Sequence, residues 1–198
     1  MKILNTAIAT LLFVILLLVV YYIHISFFRV NVVFYAAAAD GGIAACITGF
    51  ILILAKYFKD FNYFEKFQLV IIWLLLGYCS AISIPTVIDR SLSLYILEKL
   101  QQRGGGIMQT SFEEVFRIEY VKEHRLVDVR LTEQLESGTI IIKDGCVRLT
   151  AKGDSVATVS RYFRMHFLPK KRLLMGEYTD DLTDPFRNRS DNQNYTCR

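Results

Sequence analysis

Three apolar runs fill the first 88 residues, and no soluble fold of a 198-residue chain has a core large enough to bury them all. Residues 3–28 carry no charge. Residues 32–55 are apolar except around Asp40-Gly41-Gly42, and residues 67–88 are apolar and contain Pro85. Each run is roughly 20 to 26 residues, which at about 1.5 Å per residue crosses a hydrocarbon layer of about 30 Å. Hydrophobic residues are 53% of the whole, and the excess is concentrated in this half. Tyr21-Tyr22-Ile23-His24-Ile25 offers no small-residue cleavage site, so the first run reads as a retained span rather than a signal peptide. The expected fold class is a membrane α-helical half with three transmembrane helices, spans 3–28, 32–55 and 67–88, followed by a small α+β soluble domain.

The soluble half begins where charge returns, at Asp89. Asp89-Arg90-Ser91 can cap a helix through SLSLYILEKLQQR, which Gly104-Gly105-Gly106 stops. Ser111-Phe112-Glu113-Glu114 has the form of a capping box and predicts a second helix. A third is predicted over 126–136, with Val127, Leu131 and Leu135 at four-residue spacing. The period then changes to two on either side of Asp144-Gly145, a dipeptide suited to a type I′ hairpin. Thr150 can cap a last helix ending before Pro169, and residues 169–198 read as a basic linker and a disordered polar tail.

The order of three helices, a two-stranded hairpin and a helix, with LESGTIIIKDGCVRLTAKGDSVA across the hairpin, resembles a winged helix-turn-helix domain. The resemblance covers residues 90–167, within a domain taken as 89–168. It implies a third helix that enters the major groove and a wing that touches phosphate. The residues available for such contacts are Arg125, Arg130, Lys143 and Arg148, but acidic side chains surround them. Glu113, Glu114, Glu119, Glu123, Asp128, Glu133, Glu136 and Asp144 leave little net attraction for a polyanion, so nucleic acid is disfavoured as a partner.

Asp40 is the sharpest feature of the membrane half. If the second span begins near Asn31, Asp40 lies about 14 Å deep, where an ionised carboxylate costs at least about 2.5 kcal/mol. Gly41 and Gly42 beside it would let another backbone or a ligand approach. Counted back along an antiparallel first span, Tyr21, Tyr22 and His24 fall on the same side of the bilayer and can hydrogen-bond it. These six residues form a candidate intramembrane polar site for a lipid headgroup, a cation or a partner's basic residue. The plainer reading is an interfacial kink over 36–42, with Asp40 in water and the span starting at Gly41.

Arg161, Arg164, Lys170, Lys171 and Arg172 alternate with Tyr162, Phe163, Phe167 and Leu168, a mixture suited to an anionic membrane surface. Asn188 and Asn194 stand in glycosylation-type sequons. No catalytic arrangement is present: Gly104-Gly105-Gly106 lacks the lysine of a phosphate-binding loop, and His124 and His166 have no nucleophile in a recognisable arrangement. Cys46, Cys79, Cys146 and Cys197 form no metal motif and indicate no disulfide framework. No cofactor, metal or small-molecule substrate is expected. Charges at the span ends are nearly level, so the positive-inside rule does not set the topology. Unpaired cysteines, the winged-helix pattern and the basic segment suggest a cytoplasmic carboxy-terminal domain and an outward N-terminus, in an inner or plasma membrane. The expected role is non-catalytic: an accessory or regulatory membrane subunit that docks a protein partner or self-associates among lipids. A membrane-tethered DNA-binding regulator and an oligomeric bundle with a lipid or ion site at Asp40 are the alternatives.

Overall fold

The computed structural model describes residues 2–186. The sequons and Cys197 lie outside them. The chain divides into two compact units, Met1–Val129 and Arg130–Arg198.

In the first unit, α1 (Lys2–Phe27), α2 (Val33–Leu54) and α3 (Tyr63–Arg90) are each long and apolar enough to cross a membrane. α3 starts earlier than the hydropathy suggests because Asn62 and Glu65 form a reciprocal cap: each side chain accepts the other's backbone N–H at 2.8 Å. Near its other end, residues Ile82–Thr86 widen into a π turn around Pro85. Proline has no N–H to offer the preceding turn, and the Thr86 hydroxyl donates to the Ala81 carbonyl at 2.7 Å instead.

α2 packs against both of its neighbours, and small residues allow it. Ala37, Ala44, Ala45, Thr48 and Gly49 are buried along it. A Cβ on Gly41 would lie 3.0 Å from the Gly77 Cα, so here two backbones touch. Trp73 is wholly buried, stacks on Phe13 with ring centroids 5.8 Å apart, and donates its indole N–H to Thr10 at 3.2 Å. Leu11, Leu18, Phe50, Ile53 and Leu75 point outward, as apolar side chains do when lipid is the solvent.

Asp40 sits two turns inside α2 and is 1% exposed. The expected kink over 36–42, the start at Gly41 and the water-exposed Asp40 are therefore corrected. Alanine-rich sequence carries the helix back to Val33, so the glycines do not mark its start.

Beyond the spans, Ser91 caps α4 (Leu92–Gln102) by accepting the Leu94 N–H at 3.2 Å. Ser111 does not cap α5 (residues 112–123), contrary to the capping-box expectation. A 3₁₀ turn over Gln109–Ser111 runs straight into that helix, so Ser111 has ψ near −9° rather than the extended backbone of Ser91. The middle of α5 is π-wound over Val115–Tyr120. Tyr95, Val115 and Tyr120 form a small core with Ile107, Phe116 and Leu126.

α6 (Leu126–Glu136) ends as its glycine suggests. Gly138 has φ +69°, and the N–H groups of Gly138 and Thr139 bond to Leu135 and Gln134. β1 (Ile140–Lys143) pairs with β2 (Cys146–Leu149) across Asp144-Gly145, both at positive φ. Thr150 caps α7 (Ala151–Phe167) and also donates to the Thr139 carbonyl. β3 (Arg172–Leu174) and β4 (Glu177–Thr179) form a second hairpin, turning at Met175-Gly176. It falls in the stretch read from sequence as disordered tail. The signal was Met-Gly between two short alternating runs, too brief to outweigh the polar composition around it. Cys146 is disulfide-bonded, and Cys46 and Cys79 are free, so the expectation of unpaired cysteines is corrected at Cys146.

Candidate functional site

Helical side chains lean toward the N-terminus of their own helix. In the antiparallel pair α1 and α2, His24 and Asp40 therefore lean toward each other. His24 Nδ1 meets Asp40 Oδ1 at 2.7 Å. Asp40 is enclosed, whereas the His24 side chain, in the last turn of α1, keeps 27% of its surface exposed. The second carboxylate oxygen, Oδ2, is buried without a hydrogen-bond partner among the described residues. The imidazole also stands edge-on to Phe28, with centroids 5.8 Å apart.

The other candidates around Asp40 separate. Gly41 packs on Gly77, whereas nothing lies within 4 Å of a Cβ on Gly42. Tyr22 faces outward at 66% exposure. Tyr21 lines an apolar cleft of about 290 Å³ between α1 and α3, together with Phe13, Leu17, Ala37, Ser80 and Pro85.

A second polar cluster lies outside the membrane half, and the sequence reading passed over it. Lys99 is 4% exposed and holds Glu119 and Glu123, each at 2.7 Å. Tyr95 donates to Glu123 at 2.9 Å, and Arg103 donates to Glu119 at 3.0 Å. The ammonium pulls both carboxyls below the usual range, assisted by Arg103 at Glu119 and by the Tyr95 hydroxyl at Glu123. Those hydrogen bonds in turn hold the Lys99 ammonium above its ordinary range. Burial pushes the Tyr95 phenol up, and its bond to Glu123 adds to that. Tyr95-Lys99 and Glu119-Glu123 are both i,i+4 pairs, which was the available signal. Nothing local says that the two pairs face each other.

The sign of the acid response follows. A carboxyl whose folded pKa is lowered contributes stability that is complete above its unfolded value, about 4.3, and is lost as pH falls toward the folded value. Thermal unfolding of the full chain in detergent, followed by circular dichroism, should be steady from about pH 7 to about pH 5 and decline below that. Glu123→Gln should flatten part of that acid limb.

The cations suggested for DNA are scattered or occupied. Arg125 pairs with Asp128 at 2.8 Å, and Arg130 pairs with Glu133 at 2.8 Å. Lys143 and Arg148 are exposed on β1 and β2. The basic segment is likewise divided. Arg161 approaches Asp184 at 3.8 Å, and Arg164 lies over the Phe186 ring at 5.9 Å. Arg172 begins β3 and is half-buried, while Lys170 and Lys171 are exposed, as is most of Arg161.

The largest apolar exposure outside the spans is on α7. Of its 17 residues only Gly153 is buried, and a Cβ there would run into the Thr139 carbonyl. Val156, Val159, Phe163 and Phe167, at helical spacing, are 53%, 67%, 52% and 65% exposed. Comparison with protein-family models, curated proteins and solved structures finds no match for this chain.

Proposed function

We propose that this chain is a non-catalytic integral membrane subunit whose carboxy-terminal unit docks a protein partner. In this reading it is an accessory or regulatory component of a membrane complex. The observation that carries the reading is the bare apolar face of α7. A soluble helix normally buries such a stripe, and covering the half to two thirds of Val156, Val159, Phe163 and Phe167 that is exposed offers on the order of 1–2 kcal/mol each. Exposed Lys170 and Lys171 at the rim suit a partner with acidic side chains around an apolar centre.

The winged-helix arrangement belongs to this proposal too, supported by the order of α4, α5, α6, the β1–β2 hairpin and α7. So does the cytoplasmic side of the carboxy-terminal unit, in an inner or plasma membrane. Lys170 and Lys171 support that side, and the disulfide at Cys146 weighs against it. Labelling of Lys170 and Lys171 by a membrane-impermeant amine reagent in intact cells would contradict it.

Affinity purification from detergent extracts tests the docking. The full chain should bring down one protein in constant ratio, and Val159→Asp with Phe163→Asp should release it without disturbing the fold, since both positions are exposed. A chain that always elutes alone overturns the reading. Salt-sensitive, sequence-selective binding of duplex DNA that weakens with Arg130→Ala would replace it with the tethered-regulator alternative.

A further inference from the structure

An ionised carboxylate has about four lone-pair sites to satisfy, and Asp40 satisfies them on one oxygen only. In a bundle surrounded by lipid, half-solvated charge of this kind is costly. The bare Oδ2 is fully covered, so no ligand with a heavy atom reaches it while the helices stay where they are. A proton needs no such space. His24 touches Asp40 on one side and keeps part of its own surface open in the last turn of α1.

We propose that the His24–Asp40 pair is a proton-binding site of the bundle, loaded and emptied through the His24 ring. This does not depend on the docking role of α7. In the empty state His24 carries its proton on Nδ1 and donates it to the Asp40 carboxylate, and the pair has a net charge of −1. Hydronium or a buffer acid delivers a proton to Nε2, and the Nδ1 proton passes to Oδ1. Loaded, the pair is a neutral carboxylic acid donating to a neutral imidazole. No side chain has to turn, and Oδ2 becomes a carbonyl oxygen, which tolerates a missing partner far better than a carboxylate oxygen.

The other ionisable groups at this end of the bundle are few. α1 contributes Tyr21 and Tyr22, α2 contributes Tyr35, and α3 contributes Tyr78 and the free Cys79, with Asp89 and Arg90 at its end. Arg29 lies on the α1–α2 connection and is exposed.

The experiment is infrared difference spectroscopy of the full chain in lipid nanodiscs, titrated from about pH 9 to about pH 4 across the range of ordinary carboxyl and imidazole groups. A carboxylic-acid C=O band that belongs to Asp40, read as the parent spectrum minus that of Asp40→Asn, should grow as pH falls. In His24→Gln its midpoint should move by about one pH unit or more, a tenfold change in proton affinity. Circular dichroism of each variant establishes that the helices persist. Should Asp40→Asn prove unfolded, isotope labelling of aspartate narrows the band to the ten aspartates, and the component that shifts in His24→Gln is that of Asp40, the aspartate His24 touches. The proposal is overturned if the parent-minus-Asp40→Asn difference holds no titrating carboxylic-acid band while the bundle remains helical. A band present unchanged at every pH, or a midpoint indifferent to His24→Gln, overturns it equally.

Discussion

Gly77→Val is expected to disrupt the membrane-half bundle. A Cβ at position 77 would sit 2.9 Å from the Gly41 Cα and 3.2 Å from its carbonyl carbon, and neither backbone atom can swing aside as a side chain can. α2 and α3 must separate along the stripe that also holds Ala37, Ala44, Ala45 and Ala81, and Asp40 lies beside the point of closest approach. Overpacking of this kind costs typically 1–3 kcal/mol, and the backbone contact puts the effect at about 3 kcal/mol or above. Gly41→Val should behave alike, and Gly77→Ala should fall between Gly77→Val and the parent. Gly42→Ala is the internal control. It meets open space and replaces a poor helix former, so it should be neutral or stabilise by up to about 1 kcal/mol. Thermal unfolding in one detergent ranks all five chains. Equal losses at positions 42 and 77 would mean that the two helices do not cross at Gly41–Gly77.

Lys99→Met is expected to produce the largest loss beyond the three apolar helices. Methionine fills much of the space but leaves Glu119 and Glu123 without their shared cation, so the two carboxylates repel and lose their strongest donor. The unfolding temperature should fall by roughly 5 °C at neutral pH, since Lys99 is buried but Glu119 and Glu123 keep 29% and 43% of their surface in solvent. Acidification should then relieve the variant while it weakens the parent, because protonating the glutamates removes a repulsion in one and an attraction in the other. Replacing Lys99, Glu119 and Glu123 together by apolar residues of similar volume should recover much of the loss, since the cost comes from charge left unpaired. A Lys99→Met chain with parental stability and parental acid response would show that the cluster is a solvated surface feature.

Much of the architecture was legible because it depends on local patterns. Three helices long enough to span follow from apolar length, and the caps at Ser91 and Thr150, the Asp144-Gly145 turn and the Gly138 helix stop are each written in two to four residues. The errors have a common physical origin. Ser111 carries the capping sequence but not the extended backbone a cap needs, because the preceding turn is already helical. Asp40 reads as a helix-start residue by charge alone, and its burial goes with packing between distant positions: Gly41 beside it meets the Gly77 backbone, 36 positions on. His24 was one of three polar groups that could have reached Asp40, and the lean of antiparallel helices selects it over Tyr21 and Tyr22. The Lys99 cluster and the bare face of α7 are tertiary facts. Lysine at helical spacing looks like solvated surface, and a valine-phenylalanine stripe looks like core, until neighbours are placed around them.

The docking role stands or falls on what touches α7 in the membrane. A photoreactive benzophenone side chain in place of Phe163, in the full chain in native membranes, reads this directly. The account predicts one discrete adduct with a different protein, repeated from position 159 and missing when the same group replaces exposed Glu98 on α4. Adducts to lipid alone, to a second copy of this chain alone, or no adduct at all would contradict it.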